Sequence, residues 1–99
     1  MTPTKKSRAL VGIAWYRPEQ WNALKEFCED RDSMDSTYTI WKKGAQKVLR
    51  QLRSQGKGAV AVDFDLEEFK MWCSANNKRP VAASRSEFAV LKLRESRNG

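Results

Sequence analysis

The 99-residue chain has no histidine, two cysteines, three prolines and five glycines. Without histidine, the side chain that most readily exchanges a proton near neutral pH is missing, and a Cys/His zinc site cannot be assembled. Cys28 and Cys73 are too few for a disulfide scaffold. Each ends an apolar helical stripe, so both are expected to pack as small buried hydrophobes, with a disulfide as the remaining alternative. No run approaches the roughly 18 apolar residues of a membrane span. Lys5, Lys6 and Arg8 before the apolar run Ala9–Tyr16 imitate a signal peptide. The run is short, contains Trp15 and Tyr16, and has no small-residue cleavage pattern after it. A covered strand explains it better, and a cytoplasmic protein with reduced thiols is expected.

What is present is enough for a core. Apolar residues make up 40% of the chain and include four tryptophans, a payload that disordered chains lack. Nineteen Lys and Arg against twelve Asp and Glu leave a net charge of +7. Residues 1–8 read as a flexible basic tail. Residues 9–96 read as a single α+β domain.

Leu10–Tyr16 is continuous, apolar and rich in β-branched and aromatic residues, which predicts a strand. Pro18 suits a first helical position, and Glu19 suits the positive first turn. Trp21, Leu24, Phe27 and Cys28 then form one stripe of a helix running to about Asp30. After a polar break, Asp35 or Ser36 is placed to cap the next helix. In that helix Tyr38, Trp41, Ala45, Val48, Leu49 and Leu52 share a stripe, while Lys42, Lys43, Lys47, Arg50 and Arg53 face away from it. Gly56 is a plausible stop. Ala59–Phe64 predicts the second strand. Asp65 and Glu68 form a capping box for a helix with Leu66, Phe69, Trp72 and Cys73 inward. Asn76, Asn77 and Pro80 end it, and Ser84 with Glu87 suggests a second capping box. The last helix has Phe88 and Leu91 on one side, Val90 and Leu93 on another.

The order βααβαα suggests one unit used twice, with Val11, Ile13 and Trp15 matching Val60, Val62 and Phe64. If each helix pair is an antiparallel hairpin, the chain returns reversed. The expectation is a pseudo-two-fold repeat of two antiparallel strands covered by four helices. A parallel pair requires the helices not to form a hairpin. A two-stranded sheet is marginal and its edges are open to another chain. A homodimer or a protein partner is therefore a candidate, with Val90 and Leu93 as interface residues.

The basic face of the second helix is the strongest functional feature. From Ser33 to Gly58 the chain carries Lys42, Lys43, Lys47, Arg50, Arg53 and Lys57 against Asp35 alone. Such a face can neutralise phosphates, or it can simply keep the protein solvated. No nucleic-acid reader motif accompanies it. The acidic stretch Glu29–Asp35 lacks the central glycine and final glutamate of a calcium loop. Gln55-Gly56-Lys57-Gly58 follows a helix and precedes a strand, the reverse of a phosphate-binding loop. Trp15, Tyr16, Arg17, Tyr38 and Trp41 are candidates for an aromatic ligand cleft, since arginine stacks on rings and grips anions. Asp63 is the one acid with catalytic interest, because burial against an apolar layer raises a carboxyl pKa.

Val11-Gly12-Ile13-Ala14-Trp15-Tyr16-Arg17-Pro18 and Ser36-Thr37-Tyr38-Thr39-Ile40-Trp41, with Val62-Asp63-Phe64-Asp65 and Met71-Trp72-Cys73, resemble a family of short uncharacterised bacterial proteins. The resemblance spans most of residues 9–94. It implies a bacterial origin and one domain, and it carries over no catalytic or binding residue. The function expected is a small non-catalytic interaction module, not an enzyme, that binds another protein or itself. It needs no cofactor or metal and does not engage a membrane. The alternative is a polyanion or nucleic-acid binder using Lys42, Lys43, Lys47, Arg50 and Arg53.

Overall fold

The computed structural model describes residues 10–98. The proposed basic tail therefore lies outside the described residues. Strand β1 (Leu10–Tyr16) leads through a 3₁₀ turn (Pro18–Gln20) into helix α1 (Trp21–Phe27). A second 3₁₀ turn (Arg31–Ser33) precedes helix α2 (Tyr38–Ser54) and strand β2 (Gly58–Phe64). Helices α3 (Leu66–Asn76) and α4 (Ala82–Asn98) complete the chain.

Several local signals act as the residue types require. Asp65 caps α3, its Oδ1 accepting from the backbone N–H of Glu67 at 2.9 Å and of Glu68 at 3.5 Å. Gly56, at φ 84°, ends α2. Its N–H donates to the Arg53 carbonyl and that of Lys57 to the Leu52 carbonyl, each at 3.0 Å, which satisfies two end carbonyls. Asn77, at φ 54°, ends α3 in the left-handed region that asparagine tolerates better than most residues.

The strands pair in parallel, with Leu10 opposite Gly58 and Tyr16 opposite Phe64. This corrects the antiparallel expectation. The physical reason lies in the helices: α1 ends at Phe27 and does not lie along α2 as a hairpin. Instead α2 packs back on β2 and returns the chain to the same end of the sheet, as a crossover must. The register also removes the proposed repeat. Parallel partners point to the same face, so Val60, Val62 and Phe64 share a face with Gly12, Ala14 and Tyr16. They do not share it with Val11, Ile13 and Trp15.

That first face is covered by α4. A Cβ on Gly12 would lie 3.3 Å from both Leu93 Cδ2 and Val62 Cγ2, and 3.5 Å from the Ala89 carbonyl. Glycine is needed here because the helix sits almost on the strand. Phe64 then meets Phe69 and Phe88, with ring centroids at 5.0 and 5.5 Å. Trp21, Leu24, Cys28, Leu66 and Cys73 complete this core. On the other face, α2 brings Trp41 to Trp15 at 5.4 Å and leaves Ala61 and Asp63 exposed.

Three helix limits differ from the sequence expectation. Cys28 is not in α1 but follows it in extended conformation. Thr37, rather than Asp35 or Ser36, caps α2 by accepting from the Ile40 N–H at 3.2 Å. Ser84 does not cap α4. The helix begins two residues earlier, and Asp30 Oδ2 accepts from the Ala82 N–H at 3.2 Å, leaving Ser84 buried inside the helix. A cap brought from a distant loop is invisible to local pattern.

Candidate functional site

Two regions carry chemistry. The first is the outer surface of α2. Its seventeen residues contain no acid, and none of them is buried. Tyr38, Trp41, Ala45, Leu49 and Leu52 are half-buried along the expected stripe. Val48, assigned to the same stripe by spacing, is 47% exposed, and Ile40 is 51% exposed.

Lys42, Lys43, Lys47, Arg50 and Arg53 are all exposed. Arg53 Nε donates to the Ala59 carbonyl at 3.0 Å, closing the end of the helix onto β2. None of the five forms a salt bridge among the described residues. Several cations elsewhere are paired. Arg17, Lys70, Lys78, Arg79, Arg85 and Lys92 each sit within 4 Å of a carboxylate. Lys25, Arg31, Lys57 and Arg94 also form no salt bridge among the described residues, but no other helix or strand carries five such cations and no acid. Gly44, in the middle of the helix, has nothing within 4 Å of where a Cβ would stand. By position it lies between Ile40 and Val48, one helical turn from each.

The second region is the aromatic cleft at the end of β1. The structure brings together four of its five proposed residues. Trp41 lies 5.4 Å from Trp15, 4.8 Å from Tyr16 and 5.3 Å from Tyr38. The Tyr38 hydroxyl donates to the Tyr16 carbonyl at 3.0 Å, fixing α2 to the strand end. Arg17 does not join them. Its Nε donates to Asp63 Oδ1 at 3.0 Å and its Nη2 to Oδ2 at 2.6 Å, across the ends of the paired strands. A bidentate carboxylate is a stronger partner for guanidinium than a ring face. The same pair corrects the reading of Asp63. The carboxylate is exposed, and the Arg17 hydrogen bond holds its pKa below the ordinary value rather than above it.

Sequence reasoning missed the residue at the centre of this region. Arg85 is buried, with 7% exposure. Its Nε donates to the Tyr16 hydroxyl at 2.9 Å and its Nη1 to Cys28 Sγ at 3.2 Å. Nη1 and Nη2 grip Asp30 at 2.9 and 3.0 Å. Asp30 is held below its ordinary pKa first by this hydrogen bond. Burial pushes the Cys28 thiol up, with Arg85 opposing, so the thiol is not an activated nucleophile. Burial likewise raises the Tyr16 phenol. A signal for Arg85 existed: once α4 begins at Ala82, Arg85 falls on the stripe of Phe88 and Ala89. Trp21 was missed as a cleft residue because its spacing marks it as core, which it also is.

The interface candidates separate. Val90 is 38% exposed, beside Trp72 and Arg94 at one groove. Leu93 packs on Gly12 and borders a different groove. Of the acidic stretch, Glu29 pairs with Arg79 and Asp30 with Arg85. Among the described residues no helix is long and apolar enough to cross a membrane. Comparison of the chain with protein-family models, curated proteins and solved structures finds no match.

Proposed function

We propose that the protein is a small non-catalytic interaction module whose α2 docks an acidic surface of another protein. The single observation that carries this reading is the combination on one helix of exposed Ile40 and Val48 with unpaired Lys42, Lys43, Lys47 and Arg50. Exposed apolar residues beside cations match a partner that offers apolar contact and carboxylates together, whereas phosphate backbones reward the cations alone. Gly44 permits a close approach between Ile40 and Val48. Self-pairing through α2 is disfavoured, because two acid-free cationic helices repel. The non-catalytic part of the reading is supported by the chemistry of the reactive groups: Asp63 is tied to Arg17 and Cys28 is held as thiol.

The acid-free row of cations on α2 also favours a second reading, binding of a nucleic acid or other polyanion. A salt titration separates the two. The probes are an acidic amphipathic helical peptide and a 20-base-pair DNA duplex. The proposed function predicts that the peptide still binds at 0.15 M salt while duplex binding has faded. Duplex affinity should fall with a slope of about 0.9 per phosphate neutralised. Tighter binding of the duplex than of the peptide at 0.15 M salt establishes the second reading instead.

A further inference from the structure

We propose that the outer edge of β2 pairs with the same edge of a second copy of the chain, antiparallel about Val62, to make a four-stranded sheet. This surface is distinct from the outer face of α2 and does not depend on that reading. The sheet consists of β1 and β2, so among the described residues each strand has one edge without a strand neighbour.

The direction of the backbone groups on β2 can be read from Ala59. Within a strand the N–H and C=O of one residue point to the same side, and successive residues alternate between sides. The Ala59 N–H donates to the Lys57 carbonyl and the Ala59 carbonyl accepts from Arg53 Nε, each at 3.0 Å. Both groups are thus turned away from β1. Val60 and Val62 then face β1, while Ala61 and Asp63 face outward. Among the described residues no turn, helix end or side chain takes up the backbone N–H or C=O of Ala61 or Asp63.

The edge is also open. Val60, Ala61 and Val62 in succession line a groove of about 370 Å³, with Lys92 and Leu93 of α4 on its other wall. Helix α4 packs mainly on β1. On the opposite face α2 leaves Ala61 and Asp63 exposed.

Self-complementarity names the occupant. An open edge accepts a strand that offers N–H and C=O groups in matching phase. With a two-fold axis at Val62, Ala61 lies opposite Asp63 of the second copy, and Asp63 opposite its Ala61. Each of these pairs exchanges two hydrogen bonds, four in all, and they use every outward group of the two residues. A two-fold axis at Ala61 would instead set Asp63 against Ala59, whose groups are already taken. The side chains agree with the first register. Gly58 to Val62 carry no charge, and Val62 meets Val62. A charge on an edge strand ordinarily discourages pairing, but the Asp63 carboxylate is held by Arg17.

The test follows the full chain, nitrogen-15 labelled, by sedimentation and by residue-resolved amide exchange from micromolar to millimolar concentration. The expected result is a monomer–dimer equilibrium in which the Ala61 and Asp63 amides become protected as concentration rises. Ala61→Pro removes an outward N–H and spares the pairing with β1. It is expected to weaken the dimer about thirtyfold, the loss of two symmetry-related hydrogen bonds. Ala61→Asp, at an exposed position, keeps the backbone and sets a carboxylate opposite Asp63 of the second copy. It is expected to weaken the dimer about threefold or more, and it decides independently of how the proline variant folds. The proposal is overturned by a chain that stays monomeric at millimolar concentration, or by a dimer whose Ala61 and Asp63 amides exchange as fast as in the monomer. An Ala61→Asp dimer as tight as wild type overturns it as well. Protection of these amides only by an added extended peptide of other sequence assigns the edge to a foreign strand and equally overturns it.

Discussion

Arg85 on α4 and Asp30 in the loop after α1 form a two-pronged ion pair, Nη1 to Oδ1 at 2.9 Å and Nη2 to Oδ2 at 3.0 Å. The pair joins chain segments more than fifty residues apart. The same Asp30 carboxylate caps α4 through the Ala82 N–H. One aspartate thus positions the helix that covers the sheet and neutralises the buried guanidinium that the helix carries. Asp30→Ala leaves a buried guanidinium without its counter-ion and is expected to cost about 3 kcal/mol. Asp30→Asn keeps the cap and is expected to cost less. Urea unfolding of the two variants measures the difference.

The same pair sets the acid limb of stability. Asp30 titrates below its ordinary value in the folded chain, so the folded state binds fewer protons than the unfolded one. Its contribution is complete above the unfolded value, near pH 4, and is lost as pH falls through the folded value. Cys28 and Tyr16 are raised by burial, so their contribution has the opposite sign. It is complete below the unfolded values, about 8.5 for a thiol and 10 for a phenol, and is lost as pH rises through the folded ones. Asp63 is also lowered, but it is well exposed and screened, and it adds little. Stability is expected to form a plateau from about pH 5 to 8, and Asp30→Asn is expected to flatten its acid edge. Thermal unfolding across this range checks both statements.

Two glycines should respond in opposite directions. At Gly12 a valine would collide with Leu93 and Val62 and is expected to destabilise by about 1–3 kcal/mol. At Gly44 an added methyl meets nothing, and Gly44→Ala is expected to stabilise the isolated chain by about 0.5–1 kcal/mol. If α2 docks a partner through the Ile40–Val48 face, the same alanine weakens docking. Denaturation and binding measured on one variant then move in opposite directions.

Cys28 and Cys73 are free and buried, and burial raises both thiols. Their reaction with an aromatic disulfide reagent is expected to be slow in the native state and complete within the dead time in denaturant. Rapid native labelling of either thiol would show that the core around Phe69 and Phe88 opens readily.

Much of the architecture was legible because it is local. Asp65, Gly56 and the stripe from Tyr38 to Leu52 announce their roles within one or two helical turns. The relative direction of the strands was not legible, because it depends on whether α1 and α2 pair, and α1 is too short to reveal that by pattern. The cleft was half legible. Trp15, Tyr16 and Tyr38 all converge on Trp41. Arg17 instead found an opposite charge on the neighbouring strand, and Arg85 arrived from a helix whose true start is set by a carboxylate far away in sequence. Long-range ion pairs leave no periodic trace.

The central claim is that α2 is a docking helix, and the most direct measurement maps backbone amide shifts as the acidic amphipathic peptide is added. Wild-type protein and the Lys43→Glu/Lys47→Glu/Arg50→Glu variant are compared at 0.15 M salt. The predicted result is a continuous set of shifts from Ile40 to Arg50 in the wild type and none in the variant, with the core amides of α3 and α4 unchanged in both. Shifts that lie elsewhere on the molecule, or that survive the triple reversal, contradict the account.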